Sequence, residues 1–78
     1  MIVLNKAGLS FVRTSLLLNQ RELAKRASVG IMTVSRCERG EEVQLLSAQK
    51  ILAALNAVRK ERDLPPLQFE DIDWKIRQ

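Results

Sequence analysis

Three polar residues at the predicted start of a short helix, Asn19, Gln20 and Arg21, could together bind an anion. The first turn of a helix has backbone N–H groups without partners and the positive end of the helix dipole, so a phosphate is stabilised there. The amides of Asn19 and Gln20 add donors, and Arg21 adds a positive charge. Asn19 also suits a helix cap, with Glu22 three residues later completing a capping box. The pattern therefore predicts a helix start that positions a phosphate, is capped by Asn19, or does both.

The positive charge is concentrated in the first half of the chain. The 78 residues include 13 Lys and Arg and nine Asp and Glu, for a formal net charge of +4. Residues 1–40 hold seven of the bases and two of the acids, whereas residues 41–78 hold six bases and seven acids. A basic half on a small domain indicates a polyanionic partner, and a merely solvated charged face is the alternative.

The residue types present exclude several classes of protein. The chain has no histidine, no tyrosine and one cysteine, Cys37, so the usual catalytic groups, zinc ligands and disulfide partners are missing. We therefore expect no enzyme, no cofactor and no metal, and we expect Cys37 to pack as a small apolar side chain. No apolar run approaches the roughly 20 residues of a membrane span, and no signal peptide is visible. We expect no membrane association and a cytoplasmic location.

The helical spacing of apolar residues predicts an all-α fold of four or five helices. The predicted helices span residues 7–18, 19–27, 31–38 and 45–62. Residues 28–30 form a tight turn in which Gly30 supplies conformational freedom, and Gly40 ends the third helix in a left-handed conformation. One long fourth helix is favoured because its spacing is unbroken, and a break at Asn56 is the alternative.

The spacing of the apolar residues changes near the end of the chain. After Pro65 and Pro66, apolar residues recur at alternate positions, ending with Ile72, Trp74 and Ile76. Period two predicts one or two short strands, and a loosely ordered acidic tail is the alternative. We divide the chain into a domain of residues 1–66 and an extended segment of residues 67–78 that packs on the domain or on a partner chain.

The stretch LNQRELAKRASVGIMTVSRCERG, residues 18–40, resembles the helix-turn-helix of the Xre or Cro/C1 family, which includes the lambda and 434 repressors. The capped Gln20, the inner pair Leu23 and Ala24, the turn residue Val29 and the closing residues 38–40 carry the resemblance. It extends loosely over about residues 7–56. It implies a lambda-repressor-like bundle that binds double-stranded DNA.

The resemblance implies which residues read bases. The corresponding positions hold Gly30, Ile31, Met32, Thr33 and Arg36, on the face of the third helix that enters the major groove. Many relatives have polar residues where Ile31 and Met32 stand. Apolar side chains cannot form the paired hydrogen bonds that identify guanine or adenine, but they can contact thymine methyl groups, and Arg36 can reach guanine or a phosphate. We expect thymines under Ile31 and Met32, and a protein-binding surface is the alternative.

Other residues are expected to position the DNA or the helices. The family places its matching Gln against the DNA backbone, which makes Gln20 the main expected phosphate contact. Arg39 and the backbone amide of Gly40 follow helix three, where a second phosphate contact is expected. The family also pairs an Arg on helix one with the Glu closing helix three. Here these are Arg13 and Glu38, and two independent surface charges are the alternative.

These observations together predict a small transcription regulator, expected to be a repressor. One helix-turn-helix offers few contacts, so we expect a homodimer. The long fourth helix and Ile72, Trp74 and Ile76 are the expected contacts to a second chain. The alternative is the antitoxin of a toxin–antitoxin pair, which binds DNA and grips a toxin protein through residues 67–78. A third possibility is a protein-interaction module without DNA binding, supported only by Ile31 and Met32.

Overall fold

Four α-helices make up most of the computed structural model, which describes residues 6–77. They are α1 (Leu9–Ser15), α2 (Gln20–Ala27), α3 (Ile31–Glu38) and α4 (Leu45–Glu61), followed by a short 3₁₀ turn at Phe69–Asp71. No sheet forms within residues 6–77. The expected all-α class is therefore confirmed for this range. Residues 1–5 and 78 of the two predicted units lie outside the described residues.

The first helix is shorter than predicted. α1 ends at Ser15 instead of residue 18, and Leu17 adopts a left-handed conformation with φ of 61°, through which a helix cannot continue. This turn leaves Leu17 85% exposed and lets Leu16 and Leu18 both reach the core. Phe11, on α1, is exposed.

The fourth helix is continuous, as the spacing predicts. Asn56 does not interrupt it, because the Asn56 side chain turns outward from the helix to the chain that follows. Its amide nitrogen donates to the Leu67 carbonyl oxygen at 3.0 Å, and its oxygen accepts from the Leu67 N–H at 2.7 Å. Asn56 thus holds the start of the C-terminal segment against α4.

Over residues 67–77 the C-terminal segment forms no strand, which corrects the prediction of one or two short strands. After the 3₁₀ turn the chain runs extended and makes two isolated parallel bridges, Ile72 with Ala7 and Ile76 with Val43. Ala7 precedes α1 and Val43 lies between α3 and α4, so the two partners belong to different loops and no continuous ladder can form. The segment is nevertheless packed, because Ile72 is fully buried.

One core lies between the helices and the C-terminal segment. Its largest fully buried side chains are Leu16, Leu23, Val34, Ile51, Leu55, Val58 and Ile72. Each helix contributes buried residues at helical spacing, as the sequence predicts for the inner residue Leu23. The segment after α4 closes the core from the side of α1 and the α3–α4 loop.

Candidate nucleic-acid interface

A three-residue connection joins α2 to α3. Ser28 takes up the left-handed conformation with φ of 57°, and the Val29 N–H donates to the Ala24 carbonyl oxygen at 3.0 Å. Gly30 is extended at φ −72° and ψ 150°, where any residue fits, and a Cβ there would meet no atom within 4 Å. The expected need for glycine freedom at Gly30 is therefore wrong, since Ser28 makes the turn. Gly40 has the expected left-handed conformation, with φ of 82°.

The outer face of α3 is open to solvent. Ile31 is 43% exposed and Met32 is 56% exposed. Gly30 and Arg36 are also exposed, and Thr33 is half-buried. The inner face is occupied by Val34 and Cys37, both buried. The five residues expected to read bases thus lie together on one helix and its N-cap, with Thr33 partly covered.

Asn19 caps α2, as predicted. Its side-chain oxygen accepts from the Glu22 N–H at 2.7 Å, and the Glu22 carboxylate accepts from the Asn19 N–H at 3.0 Å. This capping box uses the Asn19 oxygen, so only its amide nitrogen remains for an anion. Arg21 is exposed at the same helix start and forms no salt bridge within the described residues.

Glu38 joins the first three helices. Its carboxylate forms the predicted ion pair with Arg13, whose Nη2 donates at 3.0 Å, and it also accepts from Nε2 of Gln20 at 2.9 Å. Arg13 further donates to the Leu18 carbonyl oxygen at 2.8 Å. Gln20, the expected phosphate contact, is therefore oriented by a carboxylate, and one N–H of its amide remains unused in this network.

Charges and burial shift the pKa values in this network. Burial alone raises the pKa of the Glu38 carboxyl, but the hydrogen bonds from Arg13 and Gln20 and the guanidinium charge outweigh it and hold the pKa below its usual value. The hydrogen bond to Glu38 raises the pKa of Arg13. Both groups are ionised at neutral pH, so the pair fixes α1 against α3.

The cysteine behaves as the sequence predicts. Burial, with a smaller contribution from the carboxylates of Glu38 and Asp73, raises the pKa of the Cys37 thiol to about 11. The thiol is therefore protonated at neutral pH and packs in the core.

The residues after α3 are less available to a phosphate than expected. Arg39 donates to the Glu41 carboxylate at 2.8 Å and to the Ser35 hydroxyl at 3.0 Å. The Gly40 N–H donates to the Cys37 carbonyl oxygen at 3.1 Å. A phosphate at Arg39 would compete with Glu41, and the Gly40 amide is already used by the helix end.

Of the three apolar residues expected at a partner interface, Ile72 is fully buried in the core of its own chain and cannot contact a partner. This corrects the prediction that Ile72 contacts a partner chain. Ile72 instead pairs with Ala7, just before α1, and packs in the core. Trp74 and Ile76 are half-buried against the core. The Trp74 indole donates to the Phe69 carbonyl oxygen at 2.9 Å, and the two rings stack with centroids 5.5 Å apart.

Two basic residues that the sequence patterns do not place near α3 lie beside it. Lys75 and Arg77 line a shallow groove with Arg36, and Gln44 and Ser47 line its continuation toward the start of α4. Basic and apolar residues alternate over 74–77, and this alternation predicts that both bases lie on one side of an extended segment. Without knowledge that Ile76 bridges Val43, nothing connected that side to α3.

No protein-family model matches this chain, and no curated protein and no solved structure is significantly similar to it. Within residues 6–77, no helix has the length and apolar character needed to span a membrane.

Proposed function

We propose that this protein binds double-stranded DNA as a small transcription regulator of the Xre or Cro/C1 type, with a lambda-repressor-like bundle and α3 in the major groove. The observation that carries the proposal is the outer face of α3. A helix that fits the major groove presents Ile31, Met32 and Arg36 to solvent, and α2 packs across its inner side.

The start of α2, beside α3, supports a contact with the phosphate backbone. The start of α2 offers Gln20, held by Glu38, and the exposed Arg21. Phosphate contacts from such groups fix the register of a protein on DNA, and base contacts from α3 would then specify the sequence. The expected roles of Asn19, Arg39 and Gly40 are weaker, since each already has an intramolecular partner.

The packed C-terminal segment favours a regulator over an antitoxin. A segment that grips a toxin is expected to leave its anchor residues free, whereas Ile72 is buried and the Trp74 indole N–H is bonded to Phe69 within the chain. The homodimer remains part of the proposal, and light scattering would distinguish the mass of two chains from that of one.

Selection from a random double-stranded DNA pool at two salt concentrations tests the proposal. We expect enrichment of an inverted repeat whose half-sites lie about one helical turn apart, with affinity that falls steeply as salt rises. Arg36→Ala should abolish the enrichment at a defined position of the half-site, while Lys60→Ala, a change of equal charge at the far end of α4, should leave it intact. Sequence-blind binding or none would overturn the proposal and favour a protein partner at Met32.

A further inference from the structure

The C-terminal segment of this chain alternates in the character of its side chains. Ile72, Trp74 and Ile76 face the core, whereas Asp71, Asp73, Lys75 and Arg77 are exposed. The outward residues are also sorted by charge along the segment. The acids come at the end bridged to Ala7, and the bases come at the end bridged to Val43.

The backbone fixes the basic end next to α3. The Val43 N–H donates to the Lys75 carbonyl oxygen at 2.8 Å, and the Arg77 N–H donates to the Val43 carbonyl oxygen at 2.8 Å. Val43 itself is buried in the loop between α3 and α4. Because Ile76 pairs with Val43 and turns inward, the side chains on either side of it, Lys75 and Arg77, turn to the opposite side.

Both side chains enter the groove that Arg36 lines. The groove has two adjoining parts, and Arg36, Glu42 and Arg77 line both of them. Lys75 and Gly40 line one part, and Thr33 and Ser47 line the other, toward α4. Three cations and two carboxylates, Glu41 and Glu42, therefore line the groove, and Glu41 is already paired with Arg39. None of the three cations forms a salt bridge within residues 6–77.

We infer that the C-terminal segment is a part of the DNA interface, with Arg77 and Lys75 binding a backbone phosphate beside the major groove that α3 enters. This inference rests on the proposed function. A guanidinium and an ammonium held on a packed segment lose less freedom on binding than they would on a loose tail. A phosphate in this groove would be contacted from the segment by Arg77 and Lys75, beside the Arg36 side chain that the proposed function directs to the bases.

The test is the binding of the full chain to a labelled duplex of about 20 base pairs of mixed sequence, by fluorescence anisotropy at several salt concentrations. We expect Arg77→Ala to weaken binding by about three- to tenfold and to make the dependence of log affinity on log salt less steep by about 0.9. Lys75→Ala should act in the same direction. Since phosphate contacts carry no sequence information, the loss should be equal on mixed duplex and on an enriched site.

Arg62→Ala is the matched control. It removes the same charge from an exposed arginine just after α4, whose 17 residues separate it from the groove by about 25 Å. We expect Arg62→Ala to bind the duplex with the same affinity and the same salt dependence as the wild-type chain. The fluorescence of Trp74 and the thermal melt of each variant establish that the segment stays packed.

The outcomes separate the inference from the proposed function. If the wild-type chain binds duplex and both segment variants keep its affinity and salt dependence, the segment lies outside the interface and the inference fails alone. A loss confined to the enriched site would mean that Arg77 reads a base, which also overturns the phosphate contact. If the wild-type chain binds no duplex at all, the proposed function fails and the inference with it.

Discussion

Arg13 of α1 donates two hydrogen bonds to the carboxylate of Glu38, which lies 25 residues later at the end of α3. The side chains are only 13% and 8% exposed. Glu38 also accepts from Gln20 at the start of α2. One carboxylate therefore fixes the end of the proposed recognition helix to both preceding helices, and it orients an amide expected to contact DNA.

Removing this carboxylate should be strongly destabilising. Glu38→Ala leaves the Arg13 guanidinium largely buried without its partner, and we expect the free energy of unfolding to fall by about 3–5 kcal/mol. Urea denaturation followed by circular dichroism measures it. Glu41→Ala is the control, because the Arg39–Glu41 pair is about half exposed and its loss should cost less than about 1 kcal/mol. Equal effects of the two substitutions would mean that Glu38 and Arg13 act as independent surface charges.

The same pair should make stability depend on pH. The pKa of Glu38 is lower in the folded chain than in the unfolded chain, so at acid pH the folded state binds fewer protons than the unfolded state does. The stabilisation is complete above the ordinary glutamate pKa of about 4.3 and is lost as the pH falls through the lowered native value. The difference in unfolding free energy between the wild type and Glu38→Gln should therefore shrink below about pH 4.3. A difference that stays constant from pH 7 to 3 would contradict the assignment.

The C-terminal segment should be integral to the fold. Ile72 is fully buried between α1 and the rest of the core, so Ile72→Ala should lower the unfolding free energy by about 2–5 kcal/mol through lost burial and a residual cavity. Ile31→Ala makes the same chemical change at an exposed site and should change stability by no more than about 0.5 kcal/mol. Denaturant midpoints of the two variants compare them directly. An Ile72→Ala variant as stable as the wild type would show that the segment is only loosely attached.

The helices that the sequence predicts well are those with local signals. The bounds of α2 and α3 follow from the Asn19 capping box and from the spacing of apolar residues. Each of these signals involves only residues that are close together in the sequence. The Arg13–Glu38 pair was predicted only through resemblance, since nothing local connects the two residues. In the structure Gln20 also donates a hydrogen bond to Glu38, whereas the resemblance assigns Gln20 only to a contact with DNA.

The errors lie where distant parts of the chain meet. The alternation that predicts strands over the last residues is real, but the partners of Ile72 and Ile76 are Ala7 and Val43, on two separate loops. Whether an extended segment forms a sheet depends on the chain segments that lie beside it in the fold, and the alternation of apolar residues does not reveal them. For the same reason the sequence could not place Arg77 beside Arg36 or show that Ile72 is unavailable to a partner chain.

Ile31 gives the sharpest test of base reading by the proposed recognition helix. Its exposed side chain can read a thymine only through the 5-methyl group, which contributes about 1 kcal/mol when buried against an apolar atom. Replacing each thymine of an enriched site in turn with deoxyuridine removes that methyl group and leaves the base pair intact. At one position, we expect the wild type to lose about fivefold in affinity, while Ile31→Ala binds the two DNAs equally. Met32→Ala, changed at the neighbouring residue, should still distinguish thymine from deoxyuridine there. If Ile31→Ala retains the full discrimination at every position, then Ile31 does not contact a thymine methyl group.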